Sequence, residues 1–222
     1  MRKFVPAYEG NLRKHALSVP RCISECSGIR VFGRRIKSLV FSTDVAIIKN
    51  INADAIIAVY PFTPQPAITQ AIIGVSEVPV FCGVGGGLTN GVRSASMAAY
   101  VEHQGAYGVV CNSKIGVETI HAIKDAVEIP VVYTVISENT DIQPYLTAGV
   151  DIINVSGAAR TPEIVGALRQ RYPELPIIAT GGPTEESILA TIRAGANAIT
   201  YTPPSSASLF AKTMAGNRSE LE

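Results

Sequence analysis

Lys114 follows Asn112 by two residues at the end of the apolar run 107–112. On an extended strand that spacing turns both side chains the same way. If Asn112 faces a cavity, Lys114 faces it as well. A desolvated lysine can form a Schiff base or act as a general base, whereas a solvated one contacts an anion. Other strand ends carry neutral hydrogen-bonding groups: Asn154 and Ser156 on one, Thr180 on another. These suit substrate contact. Carboxylates are scarce at such ends. Asp44 and Glu138 are candidate proton carriers, and each can equally cap the helix that follows it. His15, His103 and His121 lie away from strand ends and are expected to be structural or exposed. With no carboxylate pair and no strand-end histidine, the pattern offers no divalent-metal site and disfavours metal-assisted hydrolysis.

Consecutive glycines at Gly181-Gly182 let backbone amides approach an anion, and a helix N-terminus beyond them adds partial positive charge. Thr202, Ser205 and Ser206 follow the last strand and form the second half of an expected phosphate site. Glu185 and Glu186 crowd the first helix start, so the phosphate is expected nearer the second. The run Gly83-Val84-Gly85-Gly86-Gly87-Leu88 is not a dinucleotide fingerprint, because Leu88 replaces the third glycine and no acid ends a strand about twenty residues on. It reads as a lid or as close backbone contact to a ligand. No cofactor is expected; the alternative is FMN with its phosphate at Gly181-Gly182.

Two phrases alternate along the chain and supply the elements that hold these residues. One is Gly or Asn, a short residue, then a strand, as in Asn52-Ala53-Asp54, Gly105-Ala106-Tyr107, Gly149-Val150-Asp151 and Gly195-Ala196-Asn197. The other is a proline opening a strand, at Pro79, Pro130 and Pro176. Each returns roughly every 45–50 residues, the length of two strand–helix units. Eight nearly continuous apolar runs, 36–42, 54–60, 78–83, 107–112, 130–136, 151–156, 176–180 and 197–202, read as parallel strands covered by helices. Thr184 caps one helix, Thr161-Pro162 starts another, Asp141 opens a third and Thr63-Pro64 a fourth. The segment 44–51 is short for a helix. Eight such units predict a single-domain (β/α)8 TIM barrel over residues 36–222, its active site at the C-terminal strand ends. Residues 1–35 form an extension expected to close the barrel floor as a helix and hairpin, or to contact another subunit.

Apolar residues make up 47% of the chain and charged residues 17%, which excludes a disordered polypeptide. No apolar run has the ~18–20 residues of a membrane span, and the start of the chain lacks a secretory core. A cytoplasmic protein with no membrane partner is expected. Cys22, Cys26, Cys82 and Cys111 read as free thiols; only His15 accompanies the first two, too little for zinc. Residues 1–37 hold nine Lys or Arg against Glu9 and Glu25. That basic end suits a solvated or subunit-contacting surface, and a homo-oligomer is expected; phosphate or nucleic acid is the other partner it suits.

The stretch Pro176 to Pro204, with Pro-Ile-Ile-Ala-Thr-Gly-Gly, a Glu-rich helix, Ala-Gly-Ala-like spacing and a last strand, resembles the phosphate-binding TIM barrels. It is similar in layout to thiazole synthase, keto-deoxy-phosphogluconate aldolase and N-acetylmannosamine-6-phosphate epimerase, and more loosely to the glycerol-3-phosphate-responsive antiterminators. Strand six carries Asn154 and Ser156 in place of the aldolase's Schiff-base lysine, and strand seven lacks the epimerase's acid. The resemblance implies a small phosphorylated metabolite as ligand. With Lys114 and few acids, a metal-independent lyase or isomerase acting next to a carbonyl is expected. The alternative is a non-enzymatic sensor that passes ligand binding to RNA or a protein through the basic first 37 residues.

Overall fold

The computed structural model describes residues 4–8, 10 and 17–219. After a short 3-10 turn at Arg21–Glu25, the chain makes an antiparallel hairpin of β1 (Ile29–Val31) and β2 (Arg34–Ile36). Eight parallel strands follow: β3 (Ser38–Phe41), β4 (Ala55–Ala58), β5 (Val80–Gly85), β6 (Gly108–Cys111), β7 (Val131–Val135), β8 (Ile152–Val155), β9 (Ile177–Thr180) and β10 (Ala198–Tyr201). They run in sequence order around a closed barrel, with β10 pairing β3. The helices between and after them are α1 (Val45–Asn50), α2 (Pro66–Val75), α3 (Val92–His103), α4 (Val117–Ala126), α5 (Gln143–Thr147), α6 (Thr161–Arg171), α7 (Glu185–Arg193) and α8 (Ser206–Ser219). The expected (β/α)8 TIM barrel is the observed fold.

Each strand buries both faces, which is why the sequence shows apolar runs without polar alternation. Outward residues such as Val40, Ile56, Cys82, Val109 and Ile153 pack into the layer shared with the helices. Inward residues that alternate with them (Leu39, Ala55, Ile57, Phe81, Val110 and Val132 among them) form a second cluster inside the barrel. Val31 and Ile36 of the hairpin belong to that inner cluster. The hairpin therefore plugs the floor, at the N-terminal ends of the strands. The expected first strand, 36–42, is split in consequence: Ile36 ends the hairpin, and the barrel strand begins at Ser38.

The recurring three-residue phrase has a structural cause. Its third residue reaches back to the start of the preceding strand. Asp54 Oδ2 accepts from the Lys37 and Ser38 amides at 2.9 and 3.0 Å, ahead of β3 and at its start. Asp151 Oδ2 accepts from Val131 N at 2.9 Å, and Asn197 Oδ1 from Ile177 N at 2.9 Å. A strand's first amide has no ladder partner of its own, and these side chains supply one. Tyr107 has no acceptor of this kind; Glu102 instead reaches forward, accepting from Glu128 N and Ile129 N ahead of β7 at 2.7 and 3.0 Å.

Helix starts follow local chemistry. Thr184 and Ser187 form a reciprocal capping box on α7, and Pro162 sits in the first turn of α6. Two starts fall later than expected. α2 begins at Pro66 in place of Thr63-Pro64, and Asp141 accepts from Gln143 N at 3.2 Å ahead of α5. All four cysteines are buried and free of disulfides. His15 lies outside the described residues. His103 and His121 are exposed on α3 and α4. No helix among the described residues is long and apolar enough to cross a membrane.

Candidate functional site

A cavity of ≈ 580 Å³ opens at the C-terminal end of the barrel. It exists because the inward residues change character toward the mouth. Below lie the branched apolar side chains of the inner cluster; above, on β6 to β10, the inward sequence continues as Asn112, Thr134, Asn154 and Ser156, Thr180, then Thr200 and Thr202. The period of two carries each strand from its core residue to its site residue, as from Val132 to Thr134 and from Ala198 to Thr200. On β3 to β5 no such change occurs. There the cavity meets Phe41, Ile57, Val59 and the inward glycines Gly83 and Gly85. Tyr60, Phe62 and Leu88 extend this apolar side outward along the loops.

Lys114 lines the same cavity, and it is the one charged side chain there among the described residues. A turn brings it beside Asn112, since β6 has already ended at Cys111. Asn112 Oδ1 accepts from Lys114 N at 3.3 Å, and Asn112 O from Ile115 N at 3.1 Å. Two tyrosines brace this turn from below. Tyr133 Oη donates to Ser113 O at 3.3 Å and Tyr145 Oη to Ile115 O at 3.1 Å, so the carbonyls on either side of Lys114 are both held. The two rings stack at 4.0 Å and 9°. Burial pushes the Tyr133 phenol up from its ordinary value, with its contact to Tyr145 adding to the effect, so it stays a neutral donor. On the other side Asn112 N donates to Gly85 O at 2.9 Å. Gly86 has φ +102°, and a Cβ there would lie 2.8 Å from Asn112 O. The glycine run thus makes its close backbone contact with the Asn112 turn. The Lys114 side chain itself is exposed at the rim. Its surroundings suit an anion contact better than the dry pocket that covalent amine chemistry needs.

At the bottom of the site two polar atoms lack partners. Asn154 donates Nδ2 to Thr134 Oγ1 at 3.3 Å and leaves Oδ1 free. Thr200, only 6% exposed, leaves Oγ1 free. Buried polar atoms normally find partners, so Thr200 Oγ1 is set to donate to a ligand's oxygen and Asn154 Oδ1 to accept from a hydroxyl or N–H of the ligand.

The other expected residues are not gathered here. Asp44 is a double cap. Its Oδ1 accepts from Ala46 N and Ile47 N at 3.0 and 3.3 Å, opening α1, while Oδ2 accepts from Ser206 N at 3.2 Å, opening α8. Hydrogen bonding from the Ser206 side chain leads, the amides of Ile47, Ser206 and Ala46 add to it, and partial burial opposes; the Asp44 carboxyl is held below the usual carboxylate range. Glu138 is ion-paired with Arg160 outside the cavity. Its own amide first, and then Arg160, lower its carboxyl. Ser205 accepts from Ser208 N at 3.2 Å as a cap of α8. Gly181 N donates to Thr200 O at 3.2 Å. Gly182, at φ +82°, makes the turn into α7, where a Cβ would lie 2.6 Å from Ser187 Oγ. Both helix starts expected to hold a phosphate are therefore closed by the chain's own side chains, and Asp44 puts a carboxylate where the anion was expected. These termini do not fit the phosphate of FMN.

No family model matches the chain, and no curated protein matches it in sequence. Solved structures do. Phosphonopyruvate hydrolase, in complex with oxalate and Mg2+, superposes with a TM-score of 0.63 at 15% identity, covering 88% of this chain and 83% of that one. Phosphoenolpyruvate phosphomutase from Streptomyces platensis subsp. rosaceus gives 0.62 at 16% identity, over 82% and 80%. 2,3-Dimethylmalate lyase, a member of the PEP mutase/isocitrate lyase superfamily, gives 0.62 at 13%, over 90% and 83%. At these identities the likeness is one of fold, a TIM barrel shared with that superfamily. The hydrolase's magnesium raises the question of whether this cavity suits one. Magnesium is held through carboxylates and waters. No Asp, Glu or His lines this cavity, and no group of three His, Cys, Asp or Glu forms among the described residues. The donor set does not fit that ion.

Thr134 and Thr200 line the cavity as well, although neither was among the residues expected to contact substrate. The period of two exposes them, since each stands two residues beyond a core position of its strand.

Proposed function

We propose that the chain is an enzyme which binds a small carboxylate- or phosphate-bearing metabolite at the barrel mouth and acts as a lyase or isomerase on the carbon next to its carbonyl. The observation that carries this reading is the cavity's polarity: one lysine at the rim and a ladder of neutral amide and hydroxyl groups within. Lys114 would pair with the anionic group. The Thr134 and Thr200 hydroxyls would donate to the carbonyl oxygen and stabilise the charge it takes up as an enolate, the role fixed dipoles serve best, with Asn154 Nδ2 holding Thr134 in place. Solved barrels of similar fold act, by their names, on phosphonopyruvate and dimethylmalate, acids of this kind. The test is deuterium exchange: 2-oxo acids and their phosphorylated counterparts are incubated with the protein in D2O, and exchange next to the carbonyl is followed by NMR. Exchange that disappears in Lys114→Ala supports the reading; binding with no exchange or turnover for any acid tested defeats it.

A second reading has its own observation. No carboxylate or imidazole lines the cavity, while the floor hairpin exposes Arg30, Arg34 and Arg35 at the opposite end. A sensor that binds the ligand above and RNA below fits that division. RNA binding that weakens steeply with salt would favour it, and no binding at low salt would remove it.

A further inference from the structure

The cavity is divided in two, and the division specifies more of the ligand than its charge. The strands β3, β4 and β5 are neighbours in the barrel, so Phe41, Ile57 and Val59 make one continuous apolar wall. Strands β6 to β10, also consecutive, carry the amide and hydroxyl groups opposite. Above the apolar wall stand Phe62, 69% exposed, and Leu88, 84% exposed, both lining the cavity. Large apolar side chains held open to water over a pocket mark a surface that something covers.

Volume points the same way. Counting each non-hydrogen atom generously as one water of about 30 Å³, a six-atom oxoacid takes about 180 Å³. The cavity holds ≈ 580 Å³. A small acid bound by Lys114 and the polar arc would leave the apolar wall and its rim in contact with water.

We propose that the ligand is amphipathic: a carboxylic acid or phosphate ester bearing an aryl or branched alkyl group, the apolar group lying on the β3–β5 wall beneath Phe62 and Leu88. Its anionic oxygens meet Lys114 and the Thr200 hydroxyl, and a hydroxyl on the ligand donates to the free Asn154 Oδ1, so these groups fix which way round it lies. This rests on the reading of the mouth as an anion-binding ligand site, and names the substrate class for it.

Calorimetric titration of matched pairs tests it: phenylpyruvate against pyruvate, and phenyl phosphate against inorganic phosphate. The aryl member of each pair should bind at least about tenfold tighter, in line with what apolar groups gain in such pockets. The double variant Phe62→Ser/Leu88→Ser should cut that preference several-fold. Both side chains are exposed, so the core is left intact. Lys114→Gln should weaken both members of a pair alike. Equal binding within the pairs, or a preference that survives the double variant unchanged, overturns the amphipathic ligand while leaving the anion site standing. Failure of all four compounds to bind overturns both. Tight aryl binding without turnover would remove the enzyme reading alone and support the inference.

Discussion

Lys114 owes its position to four residues, none of which touches the cavity's centre through its own chemistry. Tyr133 and Tyr145 hold the carbonyls on either side of it, and Gly85 and Gly86 back the Asn112 turn. Tyr145→Phe removes one donor and should cost about 1 kcal/mol of stability, read from a urea midpoint. It should also weaken acid binding by a smaller factor than Lys114→Ala, whose expected loss is on the order of tenfold or more, the scale of a charge-assisted contact. Asp44 predicts a pH effect with a definite sign. Its folded pKa lies below the unfolded value of about 3.9, so its contribution is complete above that pH and is lost as pH falls through the folded pKa. The stability difference between the native protein and Asp44→Asn should be flat above about pH 5 and shrink below about pH 4. Burial alone pushes the Cys82 and Cys111 thiols up to about 12. Neither should react with an alkylating reagent at neutral pH until the protein unfolds, as mass spectrometry after quenched labelling would show. The Asn112–Lys114 spacing was legible in the sequence, although a turn and not a strand joins the two. The tyrosine brace was not, because Tyr145 comes from a helix thirty residues on and only folding places it beneath the turn.

The recurring Asp or Asn before alternate strands is the device that ties one strand–helix pair to the next. Asp54 accepts from two amides and the Ser38 hydroxyl, all at 3.0 Å or less. Asp54→Ala leaves them without that partner at a partly exposed strand start and should cost about 1 kcal/mol. The urea midpoint should fall with the slope unchanged, since the surface exposed on unfolding stays the same. The phrase itself was plain in the sequence, as were all eight barrel strands to within about two residues, because apolar runs and Gly or Pro boundaries are local signals. What the phrase does was hidden, since its partners lie 16 to 20 residues back. Helix starts were read less well. Proline is tolerated anywhere in a first turn, so Pro64 and Pro66 compete on equal terms, and packing decides for Pro66.

The molecule is closed at one end and open at the other. Val31 and Ile36 seal the floor, so ligands exchange through the mouth alone, and the two ends should respond separately to mutation. Val31→Ser should lower the melting temperature by roughly 2–4 °C for each kcal/mol of packing lost, while leaving the affinity for acids unchanged by calorimetry. The barrel was legible at this scale because its repeats announce it. The floor hairpin was only one of several outcomes open to a basic, irregular segment. Closure has a further consequence. β3 pairs with β10, Asn197 Nδ2 donates to Ser27 Oγ, and Ser206 N donates to Asp44, bonds that span up to 170 residues. A ribosome adding about 5–20 residues per second needs roughly ten to thirty seconds to cover that interval. Throughout it the growing sheet carries two bare parallel edges, the kind that recruit other strands. A chain that ends after most of the strands but before Ala198 would therefore present an adhesive open sheet in place of a smaller working barrel.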